Sequence, residues 1–314
     1  MIKLLRSEKV LLMPKVSILM NCYNSDRYLR ESIDSVINQT FSDWEIIFWD
    51  NQSTDDSAKI VASYNDKRIK YFFAPSHTTL YGGRNAALEY CTGKYLAFLD
   101  CDDLWMTEKL EKQVALLEND DNIVLVYSNT IFFNSDLNTE KVLNRNRKPS
   151  GNIFRENMLN YKFSLETVMV RMKTVNDNGL NFCKKLNMIG DRDFLSMVCF
   201  YGDAYYIDEV LGKWRIHANN YSKELDVAYG RELKTMYLRF DDIFKSDFTK
   251  EMRVEIYSEI VFREAVVLLK ESGARVRKKL RKIHFLNPKS LVLRVLSYLP
   301  KNVALRVLNL LKRA

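Results

Sequence analysis

Residues 95–103 read Tyr-Leu-Ala-Phe-Leu-Asp-Cys-Asp-Asp. Five apolar residues in succession have the character of a buried strand. Three carboxylates, Asp100, Asp102 and Asp103, then arrive within four positions. Like charges that close repel, and burying them without partners is costly. Two readings follow. The strand end could grip a divalent cation, since hard oxygen ligands suit Mg²⁺ or Mn²⁺. It could equally be a solvated acidic turn capping a helix that starts near Met106.

Upstream of this stretch, strand and helix signals alternate. Val16–Met20 is an apolar run, and Leu29, Ile33, Val36 and Ile37 share one helical face. The pattern continues with a strand at 44–49, a helix at 57–64, a strand at 69–73 and a helix at 82–90. Downstream come a helix at 106–117 and a strand at 123–127. Repeated strand–helix units predict an α/β fold, a parallel sheet covered by helices on both faces. Ligands of such sheets bind outside the carboxyl ends of the strands. Polar residues gather at those ends: Asn21, Tyr23 and Asn24; Asp50, Asn51 and Ser53 to Asp56; then the acids at 100–103. Capping explains part of the second group, but Asp50 and Asn51 follow the apolar run directly.

The 314 residues suffice for one large domain or two small ones. The five cysteines (22, 91, 101, 183, 199) form no Cys-x-x-Cys pair, which favours a reducing compartment over a zinc or disulfide framework. No apolar run is long enough for a membrane-spanning helix. The first thirteen residues lack a small-residue cleavage site, so no signal peptide is expected. Of the 48 Lys and Arg residues, twelve fall in 275–314, where there is no Asp or Glu. That leaves 36 bases against all 40 acids in residues 1–274. A mildly acidic body with a basic tail argues against a nucleic-acid partner.

The motifs taken in order resemble glycosyltransferase family 2. They are Val-Ser-Ile-Leu-Met-Asn-Cys-Tyr-Asn at 16–24, Ser-Val-Ile-Asn-Gln-Thr-Phe at 35–41, and Trp-Asp-Asn-Gln-Ser-Thr-Asp at 49–55. Gly-Arg-Asn-Ala-Ala at 83–87, the Asp-x-Asp of 100–102, Gly-Asp-Arg-Asp at 190–193 and Trp-Arg-Ile-His at 214–217 with Ser222 follow. The resemblance covers 14–225. It implies a GT-A, Rossmann-like, mostly parallel sheet flanked by helices, with a helical extension at 226–314. Residues 14–127 would bind the nucleotide-sugar and 128–225 the acceptor.

The resemblance also implies inverting transfer from a nucleotide-sugar. Asn21 and Tyr23 would lie beside the base, with Asp50 and Asn51 holding base and ribose. Many relatives carry Asp where this chain has Asn51; an amide oxygen can still accept a uracil imide proton, so a UDP-sugar is the expected donor. Arg84 would stand near the base or diphosphate. Asp100 would approach the ribose, and Asp102 would ligate Mn²⁺ or Mg²⁺, with His217 on the metal or a phosphate. Asp103 would touch the donor sugar or, preferably, cap the next helix. Asp191 would be the general base. Asp193 is its rival, or could hold the acceptor or pair with Arg192; Arg215 is a further candidate contact to the acceptor or donor sugar. Gly190 departs from the family's usual Glu.

The middle of the chain is less legible. Strand or core segments are expected at 163–171 and 199–207, and helices over 229–272. In the tail, Asn287-Pro288 opens a helix whose apolar stripe includes Leu291, Val292, Val295, Leu296 and Leu299. A basic amphipathic segment without acids suits an anionic membrane surface; a hairpin covering the core is the alternative. The expectation is therefore a peripheral enzyme on the cytoplasmic face of the plasma membrane. It would use a glycan acceptor, lipid-linked in keeping with the tail. A protein acceptor, a non-catalytic nucleotide-sugar-binding scaffold, or a nucleotidyltransferase are the alternatives. The last is disfavoured because no glycine-rich phosphate loop follows the first strand.

Overall fold

The computed structural model describes residues 13–161, 163–217, 226–245, 248–269, 273–280, 288–300, 302–304 and 306–307. Ser222, the first twelve residues and, in the basic tail, Arg281, Lys282 and Asn287 lie outside the described residues. The chain divides into two compact units. One comprises Met1–Gly151, Phe163–Asn181 and Tyr201–Ile216; the other comprises Asn152–Lys162, Phe182–Phe200 and His217–Ala314.

The first unit holds the sheet. Strands β1 (Val16–Cys22), β2 (Trp44–Asp50), β3 (Ile69–Phe73) and β4 (Tyr95–Phe98) are parallel, in the order β3-β2-β1-β4. β1 and β2 are buried on both faces, which is why they read as largely apolar runs; the early interruptions, Ser17 and Glu45, are buried and hydrogen-bonded to each other. Helix α1 (Asp26–Ile37) buries Leu29, Ile33 and Val36 in the core around Ile18, Met20, Ile46 and Phe48. Helices α2 (Ser57–Ala62), α3 (Leu80–Leu88) and α4 (Lys109–Asn119) complete this part. Thr79 caps α3 by accepting from the Gly82 N–H. The chain leaves β1 toward β2 on one side and returns to β4 on the other. The reversal opens a crevice at the carboxyl ends of β1 and β4.

Beyond β4 the sheet becomes mixed. β5 (Leu104–Trp105), β6 (Ile123–Asn134), β7 (Thr139–Val142), β8 (Met169–Arg171) and β9 (Asp203–Arg215) complete nine strands among the described residues. β8 runs antiparallel to β4 and β6, while β6 and β9 pair in parallel. Helix α6 (Met172–Asp177) follows β8 directly.

Several sequence expectations are corrected. The strand expected at 123–127 continues to Asn134, because Ser128, Asn129 and Thr130 are buried within it with their side chains hydrogen-bonded. Only 169–171 of the segment 163–171 is extended; Leu165–Thr167 is a 3₁₀ turn. The helix expected from Met106 begins at Lys109, because Leu104 and Trp105 pair with β9.

The second unit is helical: α5 (Phe154–Leu159), α7 (Gly190–Phe200), α8 (Asp226–Ile243), α9 (Lys250–Leu269), α10 (Gly273–Leu280) and α11 (Pro288–Leu296). Phe154, Phe200, Phe240, Phe244 and Phe248 form one aromatic cluster. Val261, Ala265, Leu269, Val276, Leu280, Leu293 and Leu296 form a second core joining α9, α10 and α11. No described helix is long and apolar enough to cross a membrane.

Candidate active site

The crevice is built first by α3. A Cβ on Gly83 would lie 2.4 Å from Asn21 Oδ1, so only glycine lets the helix pack this closely on the end of β1. Asn21 Oδ1 is buried there without a hydrogen-bond partner. One residue on, Arg84 is buried and its guanidinium lies 2.6 Å from Asp100 Oδ1. The carboxylate of Asp100 stays 41% exposed, so the pair faces the crevice mouth. Arg84 is therefore no surface arginine. Low dielectric on one side and solvent on the other suit it to an anionic ligand.

The turn after Asp100 is braced from below. Arg215, the last residue of β9, is buried. Its backbone N–H donates to Asp103 Oδ1 at 2.9 Å and its Nε donates to the Asp102 carbonyl at 2.8 Å. The guanidinium also donates to Ser135 and Glu31, and packs over Tyr28 and Phe133. Asp103 thus anchors the turn to β9; it does not cap α4, correcting the preferred expectation. Burial pushes its carboxyl well above the usual range, reinforced by the charges of Asp102, Glu166 and Asp100. Glu166, likewise buried and raised, accepts from Thr130 and Ser164. Arg215 and Glu166 are support for the acidic turn, and Arg215 is not arranged as a sugar contact.

Asp50 and Asn51 lie where the sequence puts them, but their polar atoms are engaged. Asp50 is fully buried; its Oδ1 accepts from the Ser53 N–H at 2.7 Å and its Oδ2 from the Tyr71 hydroxyl at 2.7 Å. The Asn51 amide donates to the Thr78 carbonyl at 2.8 Å, and its Oδ1 accepts from both the Thr78 N–H and hydroxyl at 3.1 Å. Asn51 clamps the segment leading into α3. His77 Nδ1 lies 2.9 Å from the Asn51 carbonyl, and its ring meets the Tyr23 ring at a centroid distance of 4.4 Å. Tyr23 is 51% exposed.

Asp191, Asp193 and His217 belong to the second unit. Asp191 opens α7. Its Oδ1 accepts from the Arg192 N–H at 2.8 Å and its Oδ2 from the Tyr161 hydroxyl at 3.2 Å. Asp193 is buried against the guanidinium of Arg239, and burial raises its carboxyl to about 6 despite that cation. Glu232 accepts three backbone N–H groups ahead of the helix, from Asn187, Met188 and Ile189. Arg192 donates to Tyr229 and to the Met158 carbonyl. Asp193 is committed to Arg239, while Asp191 accepts from Tyr161 and from the Arg192 backbone. Among the described residues, no three His, Cys, Asp or Glu side chains converge as a metal site.

The sequence reading did not single out Glu31, Tyr71, His77, Thr78, Tyr161, Glu166, Glu232 or Arg239. Each acts through a partner distant in the chain. Only His77, one of three histidines and set just before the Gly-Gly-Arg-Asn segment, carries a local signal.

Comparison with known proteins agrees with this geometry. The family description Glycosyl transferase family 2 matches residues 17–178. The chain is 37% identical over 121 residues to the UDP-Glc:alpha-D-GlcNAc-diphosphoundecaprenol beta-1,3-glucosyltransferase WfgD of Escherichia coli, covering 38% of this chain and 47% of that protein. It spans about half the length of curated relatives such as this one. The crystal structure of S. aureus TarS 1–349 in complex with UDP-GlcNAc shares the fold, with a TM-score of 0.64 at 19% identity over 90% of this chain and 79% of that one. The mannosyltransferase PcManGT from Pyrobaculum calidifontis, in complex with GDP-Man and Mn²⁺, does so with a TM-score of 0.56 at 15% identity over 97% and 89%. The fold is thus that of the GT-A glycosyltransferases. The matched residues, more than half of the chain, include the crevice and its acidic turn, and the chain belongs to glycosyltransferase family 2.

Proposed function

We propose that this protein transfers a sugar, with inversion, from a UDP-sugar to a lipid-linked glycan. The observation that carries the reading is the buried Arg84 paired to the exposed Asp100 at the crevice between β1 and β4. A diphosphate entering there would meet a guanidinium already desolvated and oriented, and Asp100 would turn to the ribose. Asn21 and Tyr23 line the base side.

The donor set suits a divalent cation. Asp100 and Asp102 offer hard oxygen ligands; after burial, their charges are among the causes that raise the neighbouring Asp103 carboxyl, and a cation would relieve that repulsion. Mg²⁺ is usually held by one or two carboxylates plus substrate phosphates, so no all-protein cage is needed. Asp102 would hold the ion. When bound, the ion neutralises charge on the departing nucleoside diphosphate. Asp191 would take the proton of the acceptor hydroxyl as its oxygen attacks the anomeric carbon. Tyr161 and the Arg192 N–H fix its orientation.

Two observations support the acceptor. WfgD is named for transfer to a GlcNAc-diphosphoundecaprenol. In the tail, Leu293 and Leu296 are buried against α9 and α10, whereas Leu291, Val292, Val295, Tyr298 and Leu299 are exposed on a segment free of acids. That outer face would rest on an anionic membrane surface. On this reading the enzyme works from the cytoplasmic side in surface-glycan assembly.

A thermal-shift screen of nucleotide-sugars, with and without Mn²⁺, tests the donor. A UDP-sugar that stabilises only with the ion is the expected result. In flotation with anionic vesicles, Val295→Asp should lose binding that the parent retains. Equal flotation would remove the membrane surface from the proposal.

A further inference from the structure

We infer that His77 is the residue that reads the nucleobase, by accepting the imide N–H of uracil at Nε2. The inference rests on the nucleotide-sugar reading of the crevice and names a residue that the family motifs do not include.

Both carboxylate oxygens of Asp50 and both ends of the Asn51 amide are hydrogen-bonded within the protein, and both side chains are buried. For Asn51 to accept a proton from a base, the clamp on Thr78 would have to open, giving up the bonds from the half-buried Thr78 N–H and hydroxyl. The base would then gain one hydrogen bond while the protein lost two.

His77 has the opposite character. It is exposed, and it sits beside exposed Tyr23, just past the carboxyl end of β1. A carbonyl oxygen only accepts, so the ring nitrogen 2.9 Å from the Asn51 carbonyl, Nδ1, must carry a proton. In the neutral ring this fixes Nε2 as an acceptor. The Asn51 clamp therefore acts on the base through His77: the side chain of Asn51 holds the loop, and its carbonyl sets the tautomer. Tyr23 supplies an aromatic face for stacking, which tolerates any base. The Nε2 lone pair adds discrimination, since it favours a base with a ring N–H.

The test compares UDP with N3-methyl-UDP, which stacks alike but lacks the imide proton, by calorimetric titration of the full chain with Mn²⁺. The parent should prefer UDP by about tenfold, the order expected of one hydrogen bond in a partly exposed site. His77→Phe keeps a ring beside Tyr23 and should bind both nucleotides equally, near the parent's affinity for the methylated one. His77→Leu, which has no acceptor, gives a second comparison should the aromatic variant fold poorly, and it too should lose the preference. A parent indifferent to the methyl group overturns the inference, as does a preference undiminished in both variants, which would return the role to Asn51. In either case UDP binding itself would leave the donor reading standing. Failure of the parent to bind any nucleoside diphosphate would overturn both.

Discussion

The acidic turn of the sheet unit and the first turn of α7 in the helical unit face one physical problem and solve it alike. Each brings carboxylates together within four residues. In each, one acid is buried and tied to an arginine of a later element: Asp103 to the Arg215 backbone, Asp193 to the Arg239 guanidinium. In each, the proposed chemistry falls to a neighbour, Asp102 in the first and Asp191 in the second. The difference lies in what the buried acid does electrically. Asp103 meets only a peptide dipole, and its carboxyl is pushed up by burial and by other acids. Asp193 meets a full cation, and burial still lifts it to about 6. The comparison teaches that adjacency in a motif does not imply a shared role: one carboxylate anchors the turn, and the proposed function assigns the chemistry to its neighbour.

The sharpest way to break this division is to neutralise the workers. Asp191→Asn should lower kcat by about 10³-fold with UDP affinity retained, as for loss of a general base. Asp102→Asn should lose about as much and, unlike Asp191→Asn, should abolish the Mn²⁺ dependence of UDP binding. Wild-type turnover in either would end its assigned role.

A smaller effect comes from the anchor Asp193. Its folded-state value of about 6 lies above the ordinary 3.8, so the fold favours the protonated form. The stability this contributes is complete below pH about 4 and is lost as pH rises through about 6. The shift corresponds to at most about 3 kcal/mol. Asp193→Asn should remove this falling component, seen as a difference in the pH dependence of Tm between parent and variant over that window. Identical profiles would contradict the buried assignment.

The smallest effect is expected at Glu31, the outer partner of Arg215. Its carboxylate is more than half exposed, so Glu31→Gln should cost about 1 kcal/mol or less in urea unfolding. A larger loss would mean that the brace depends on its solvent end and not on the rings of Tyr28 and Phe133.

Much of the sheet was legible because β1 to β4 are mostly apolar, with few polar interruptions such as Ser17, Glu45 and Lys70, and are bounded by polar residues. The strand at 69–73 lies where the sequence places it. β6 and β9 were harder to see: Ser128, Asn129 and Thr130 interrupt the apolar pattern, and Asp208, Glu209 and Lys213 do so in β9. Their burial or pairing is arranged by Asn144, Glu166 and Glu140, outside any local window. The site shows the same limit. The acids at 100–103 announce themselves, but the engagement of Asp50 depends on Tyr71, and that of Asn51 on Thr78. No motif spacing reveals that those polar groups are already consumed.

The three-pronged grip of α8 on residues 187–193 has a practical corollary for making shortened versions of the protein. Glu232, Tyr229 and Arg239 supply the partners for three main-chain N–H groups, the Arg192 guanidinium and the Asp193 carboxylate. A fragment ending at 225, where the sequence motifs stop, would strip all of these at once. The segment presenting Asp191 would then lose its scaffold, so the smallest autonomous piece must extend beyond the motifs to include that helix.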